Sequence, residues 1–348
     1  MVEKMKVLAI TGKETAEVVE VKLPELKPNE VLVKIDGTAI CTWEQRVYAS
    51  GKFKMPFLGG HEVVGHVVEK GSKVNTKEFD IGDRVAVSVI NTCGTCVYCR
   101  RGEENLCVAS YANLSEDLGM NGPGGFAEYK ITTPNKLWKL NPELPWEYGT
   151  FAEPLACVVN SVKKANIALG EDVVVIGGGI MGMFHMMLAK LRGARVIMSE
   201  IDADRRKLAE ELGCDVTFSP KEHDAVAYVK ELTGGMGADV VFDTTVIPAV
   251  AAQAIDMAGK MGRVIMYSSV HPSDQPIDLY PDNLHNTEKV ITGTVSPSVQ
   301  SYDVAVRLLN KGLINPAKLL HGTYSYYEAK EAFETAIRPD TFRVIIRF

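Results

Sequence analysis

The sequence contains no run of about eighteen apolar residues, so no membrane-spanning helix is expected. Its opening segment, MVEKMKVLAI, lacks a long apolar stretch behind a basic one, so no secretory signal is expected. There is no excess of positive charge. Against 38 Lys and Arg stand 44 Asp and Glu, a formal net charge of -6, which gives no reason to expect nucleic acid or another polyanion as partner. Cysteine is scarce, 7 residues, and the number is odd. Together with the missing secretory signal this fits a reducing cytoplasm rather than a disulfide framework. Neither an internal repeat nor a low-complexity segment is found. What is present is an ordinary globular composition, 46% hydrophobic and 24% charged, over 348 residues, enough for about two domains.

The few cysteines are unevenly placed. Cys93, Cys96, Cys99 and Cys107 follow the spacing C-x2-C-x2-C-x7-C. Four thiolates so spaced can meet at one centre and complete a tetrahedral Zn²⁺, and a closed site of that kind has no position for substrate, so it is expected to be structural. The segment NTCGTCVYCRRGEENLC is short, polar and glycine-punctuated, as suits a lobe organised by a metal. The same cysteines also admit disulfides, which the compartment disfavours, or an iron–sulfur cluster.

Up to about residue 150 the chain is rich in short β-type runs, VLAI, EVLVKI, EVVGHVVE, DRVAVSVI and AEYKI, separated by turn residues. This predicts a compact, mostly antiparallel β domain. From Gly170 the pattern changes. The run DVVVIGGGIMGMFHMMLAKLRGARVIMSE reads as strand, glycine turn, helix and second strand, and ADVVFDTT and GRVIMYSS read as further buried strands between helical stretches. That alternation predicts a doubly wound parallel sheet, an α/β fold. The tail from about Ser296 carries helices at SYDVAVRLLNKG and YYEAKEAFETAI and a last strand at RVIIRF.

Gly177 to Gly182 fit G-x-G-x-x-G directly between a strand and a helix, the context that gives this pattern meaning. Gly177 permits the tight turn, Gly179 lets the backbone approach a pyrophosphate, and Gly182 lets the helix pack on the strand. Ile180 and Met181 then open the helix whose free N–H groups face the phosphates. Glu200 closes the second strand, where an acid accepts from the ribose hydroxyls and repels a 2′-phosphate, so NAD is expected over NADP. Arg205, with Arg206 beside it, works against that preference. Met181, Met183, Met186 and Met187 are expected to fill core, Cys157 and Cys214 to be inert buried thiols, and His66 to have no role at the site.

Three further groups stand apart: Cys41 after VKIDGTAI, His61-Glu62 in GGHEVVGHV, and Glu153 in AEPLAC. With GDRVAV ahead of the four-cysteine lobe, GGFAEY at residues 124–129 and GGGIMG at 177–182, they make the chain resemble the zinc-dependent medium-chain dehydrogenase/reductase family over essentially its whole length. The resemblance implies a GroES-like catalytic domain formed by residues 1–153 and 296–348, enclosing a Rossmann NAD-binding domain at 154–295. It implies one structural and one catalytic zinc, the latter held by Cys41, His61 and either Glu62 or Glu153. A glutamate at 153 is similar to the sorbitol and polyol dehydrogenase branch. Mixed ligation of this kind leaves an open position. The implied reaction is hydride transfer from a secondary alcohol (a polyol, sugar acid or amino alcohol) to NAD, with zinc as Lewis acid and the strand ends at Val270 and Val295 lining the nicotinamide pocket.

One segment departs from the pattern. The family's C-G-[ST]-D-x-H is here Cys41-Thr42-Trp43-Glu44-Gln45-Arg46, read as a loop. Trp43 and Arg46 replace the two proton-relay positions, and neither shuttles protons at neutral pH. Thr42, water or the substrate's own hydroxyl is left to carry the proton, or Arg46 binds an anionic substrate. The alternatives are therefore a reductase of an anionic or amino-substituted carbonyl, similar to threonine dehydrogenases, or a non-enzymatic zinc- and NADH-binding protein. A small-molecule alcohol or carbonyl substrate and a homodimer or homotetramer are expected, with no membrane or nucleic-acid partner.

Overall fold

The computed structural model describes residues 3–75, 77, 79–89, 91–109, 115–269 and 275–348. The chain divides into two compact units, Met1–Ala156 with Ser298–Phe348, and Cys157–Pro297.

The first unit is built on a seven-stranded sheet. Its centre is the strand Val31–Ala39, which pairs antiparallel with Glu62–Lys70 on one side and with Arg343–Arg347 on the other. Burial explains the choice of centre, since Val31, Leu32, Val33, Ile35 and Ala39 are all buried. Two register pairs decide where the chemistry falls. Ala39 lies opposite Glu62 and also opposite Ile345. The residues that follow or precede these positions, Cys41, His61 and Arg343, are thereby delivered to the same end of three neighbouring strands. The sheet is antiparallel except at its C-terminal edge, where Leu320–Ser325 and Arg343–Arg347 run parallel. A separate hairpin, Lys4–Gly12 with Thr15–Lys22, lays Val7, Leu8, Ala9 and Ile10 against this core.

Close backbone contact accounts for two glycine-rich motifs. The Gly125 N–H donates to Gly59 O at 2.9 Å, and a Cβ on Gly125 would stand 2.4 Å from Gly60 O. Gly60 adopts φ 86°, in the left-handed region that favours glycine. The GGH and GGF segments are thus one packed junction, and it sets the position of His61.

The second unit is a six-stranded, all-parallel sheet in the order Val216–Phe218, Arg195–Ser199, Asp172–Ile176, Ala238–Asp243, Ala258–Met266, Val290–Gly293. The order is that of a doubly wound dinucleotide-binding fold, with the first strand near the centre. Val173, Val174, Val175 and Ile176 are all buried, as expected of a strand covered on both faces. Helix Ile180–Leu191 packs on it with Met183 and Met186 fully buried and Met181 and Met187 half-buried. His185 on the same helix is buried, bonded at Nδ1 to Met181 O (2.7 Å) and at Nε2 to Ser161 Oγ (2.8 Å). Burial pulls its pKa down to about 3, so it is a neutral core residue. Cys214 is buried as expected, but Cys157 is only half-buried. Among the described residues no helix is long and apolar enough to cross a membrane.

Candidate metal and nucleotide sites

Cys41 ends an extended segment and stands at the N-cap of helix Thr42–Ser50. The segment read as a loop from the motif is therefore the first turn of a helix. Its ligand atom lies with those of His61 and Glu62 in a group whose members are all within 4.8 Å of one another. The pattern of charge around this group is unusual. Glu44, fully buried, accepts at Oε1 from His61 Nδ1 (2.7 Å) and from the Gly60 N–H (3.0 Å). A carboxylate on Nδ1 fixes the imidazole and leaves Nε2 for a metal. Burial opposes charge on the His61 ring, but Glu44 and Cys41 outweigh it and hold its pKa well above the usual histidine range.

Glu62 is buried with its Oε1 2.9 Å from Arg343 Nη2. That contact is close enough for an ion pair but lacks hydrogen-bond alignment, so both carboxylate oxygens are without a hydrogen bond. Burial pushes the carboxyl up to about 7 in spite of Arg343. Arg343 itself is buried and donates from Nη1 to Ile40 O at 3.2 Å. A thiol, an imidazole and a carboxylate whose oxygens make no hydrogen bond, gathered in a partly buried, anion-rich place, fit a zinc ion with an open position.

Of the two candidate acids, Glu62 is in the group and Glu153 is not. Glu153 occupies the first turn of helix Ala152–Ala165, and its charge acts on both Glu62 and Arg343. Thr42 and Arg46 are exposed on their helix and outside the group. Neither Glu44 nor Arg343 is marked as a site residue by the sequence alone. Glu44 stands at the aspartate position of the family segment and was visible there, whereas Arg343 is joined to Glu62 only by strand register. His66, expected to have no role here, pairs with Asp36 at 2.9 Å.

The four remaining ligands also converge. The sulfurs of Cys93, Cys96, Cys99 and Cys107 all lie within 4.8 Å of one another, and none of the seven cysteines is in a disulfide. Backbone N–H groups converge on the sulfurs: Cys93 N–H on Cys107 (3.2 Å), Cys96 N–H on Cys93 (3.3 Å) and Cys99 N–H on Cys96 (3.5 Å). The Thr95 N–H, with other donors, pulls the Cys93 thiol down to about 6. Burial pushes the Cys99 thiol up to about 12, so the support for a structural zinc is the convergence of the four sulfurs at one point rather than a shared readiness to ionise.

In the second unit Gly177 has φ 98° and its N–H donates to Ser199 O at 2.9 Å, which makes the turn. A Cβ at Gly182 would stand 1.8 Å from Gly177 O, so the helix packs as closely as expected. A Cβ at Gly179 would meet only Arg205 Nη1, at 3.9 Å. The space over Gly179 is a cradle that a side chain would fill, and it fits a dinucleotide pyrophosphate at the start of helix Ile180–Leu191. Glu200 is buried and held by the Gly178 N–H (2.5 Å) and the Asp202 N–H (2.8 Å). Arg206 is committed to the carbonyls of Glu200 (2.8 Å) and Ile201 (3.0 Å), whereas Arg205 Nη1 faces the space over Gly179. Val295 is exposed beyond strand Val290–Gly293, and Val270 lies outside the described residues.

Comparison with known proteins places these features in company. A family model described as zinc-binding dehydrogenase matches residues 181–311, and one described as alcohol dehydrogenase GroES-like domain matches residues 27–142. The chain is similar to L-threonine 3-dehydrogenase of Pyrococcus abyssi, 32% identical over 337 residues that cover 95% of this chain and 94% of the relative. It is similar to D-arabitol-phosphate dehydrogenase of Enterococcus avium, 30% identical over 336 residues, 94% of this chain and 92% of the relative. A dehydrogenase structure from Sinorhizobium meliloti, solved with NADP bound, matches with a TM-score of 0.88 and 28% identity over 99% of each chain.

Proposed function

This chain belongs to the zinc-dependent medium-chain dehydrogenase/reductase family, and on that premise we propose that it takes a hydride from a secondary alcohol bearing a vicinal hydroxyl or amino group and passes it to NAD. The observation that carries this reading is the group of Cys41, His61 and Glu62 with Glu44 behind the imidazole. In this reading Cys41, His61 and Glu62 hold the catalytic zinc, and Glu153 acts on it through its charge. Cys93, Cys96, Cys99 and Cys107 hold the structural one. Zinc bound at the first site supplies Lewis-acid polarisation of the substrate oxygen, and bound NAD supplies the hydride acceptor.

The chain's own residues do the rest. Glu44 keeps the His61 ring in one orientation, and Arg343, 2.9 Å from Glu62 Oε1, holds that carboxyl in place and partly offsets the cost of its burial. Gly177, Gly179 and Gly182, with Ile180 and Met181 at the helix start, cradle the pyrophosphate. Glu200 receives the adenosine ribose and disfavours a 2′-phosphate, while Arg205 adds positive charge beside the phosphates. Trp43 and Arg46 cannot relay a proton, which leaves Thr42, water or the vicinal hydroxyl of the substrate. The vicinal polar group is supported by the relatives, which are named for threonine and arabitol phosphate. The two units serve as catalytic and nucleotide-binding domains. A homodimer or homotetramer is part of the proposal, supported by the sheet edge at Val290–Gly293, and a cytoplasmic setting is supported by the free thiols.

NADH formation on a panel of polyols, sugar acids and amino alcohols tests this function. Turnover is expected with NAD⁺ preferred over NADP⁺ by roughly tenfold or more, and Glu200→Ala is expected to reduce that preference to within about threefold, since one charge repulsion is removed. A preference for NADP⁺ in the parent protein would contradict the role given to Glu200.

A further inference from the structure

Three aromatic rings gather next to the metal-ligand group. The ring centroid of Trp43, two residues after Cys41, lies 5.8 Å from that of His61. Trp43 meets Phe57 edge-on at 5.3 Å and 83°, and Phe53 at 6.3 Å and 73°, while Phe53 and Phe57 are 6.0 Å apart. These are the separations and angles of favourable aromatic pairs. Phe57 is 3% exposed, yet Trp43 remains 39% and Phe53 43% exposed. Two large rings partly in contact with water, beside the residues that bear the chemistry, form an apolar surface that the described residues leave partly uncovered.

What this surface can receive follows from its chemistry. Its polar capacity is a single indole N–H. A hydroxyl laid against Phe53 or Phe57 gives up hydrogen bonds to water and gains none. A cationic group is drawn to aromatic faces, but Arg46 stands three residues along the same helix from Trp43, on the neighbouring side-chain row, and repels it. An uncharged carbon substituent, and best a flat one, loses nothing there and is removed from water.

We propose that Trp43, with Phe53 and Phe57, is a specificity surface for an apolar planar substituent on the carbinol carbon, so that the substrate is an amphiphilic secondary alcohol with a vicinal polar group and an aryl or similar flat group. This rests on the oxidoreductase reading above and narrows it away from fully hydroxylated polyols. Trp43 is a specificity residue in this account. It removes the relay hydroxyl that the position carries in the family and puts a stacking surface in its place.

A matched pair of probes tests it: 1-phenyl-1,2-ethanediol and 1,2-propanediol, which differ in a phenyl against a methyl on the carbinol carbon. The parent protein is expected to show kcat/KM at least about tenfold higher for the phenyl compound, with the difference in KM rather than kcat. Trp43→Ala is expected to bring that ratio close to one, and Phe53→Ala to lower it about threefold. The ratio is internal to each preparation, so loss of folded protein does not move it. Calorimetric binding of the phenyl diol without nucleotide gives a second readout, weakened about tenfold in Trp43→Ala. Equal kcat/KM for the two diols, or a phenyl preference that survives Trp43→Ala, overturns the inference and leaves the oxidoreductase reading standing. No NADH from either diol or from any alcohol of the panel overturns that reading and this inference with it.

Discussion

His61→Ala is expected to lower kcat/KM for alcohol oxidation by about 10³-fold or more and to reduce the zinc content from about two ions per chain to about one. The magnitude follows from losing a metal whose charge stabilisation amounts to several kcal/mol in the transition state. His61 is the ring that Glu44 orients, and its ligand atom lies within 4.8 Å of those of Cys41 and Glu62. Its loss leaves a thiol and a carboxylate, and Glu62 then has Arg343 as its natural partner. The four-cysteine lobe shares none of these residues, so the remaining zinc stays and the protein stays folded. Glu44→Ala is the graded companion. It removes the carboxylate behind the imidazole, and the catalytic zinc is expected to bind about 10- to 100-fold more weakly. Metal analysis after dialysis against a weak chelator separates the three proteins. An unchanged two-zinc content in His61→Ala would remove His61 from the ligand set.

Gly182→Ala is expected to weaken NADH binding by about two orders of magnitude, the loss of one or two charge-assisted hydrogen bonds, and to lower the melting temperature as well. The added Cβ would stand 1.8 Å from Gly177 O, a backbone atom with no room to move, so the turn itself must open. Gly179→Ala separates binding from folding. There the added Cβ meets only Arg205 Nη1, at 3.9 Å, so the apo fold tolerates it, but it occupies the space over the helix start that the pyrophosphate needs. The expected result is a similar loss of NADH affinity with an unchanged melting temperature, read by fluorescence titration and calorimetry. Full NADH affinity in Gly179→Ala would mean that the phosphates bind elsewhere.

The contrast between these sites shows what a sequence can carry. The glycine turn and the cysteine lobe were legible because each is local. Every residue that makes them lies within a short stretch, and the physical requirement, close backbone approach or four thiols at one point, is written in the spacing. The fold class was legible for a similar reason, since the change from β runs to strand–helix alternation near Gly170 is a change of period. The catalytic group was legible only through family resemblance, and only in part. Its choice of acid was open between Glu62 and Glu153. The pairing of Ala39 with Glu62 brings Glu62 to Cys41, while Glu153 lies outside the group, and that register is not written in the motif. Arg343 carried no signal at all, because it reaches Glu62 through the last strand of the chain. From the motif alone Trp43 marks only a missing relay. That it belongs to a cluster with Phe53 and Phe57 depends on how helix Thr42–Ser50 begins, and the motif gave no hint that a helix was there.

Zinc stoichiometry of protein purified without chelator, measured on the sample that is assayed for NAD⁺ reduction with vicinal diols and amino alcohols, tests the central claim most directly. About two zinc ions per chain together with NADH formation is the predicted result. One zinc per chain with no NADH from any of these alcohols would contradict it, and would leave Cys41, His61 and Glu62 a buried polar cluster without a metal.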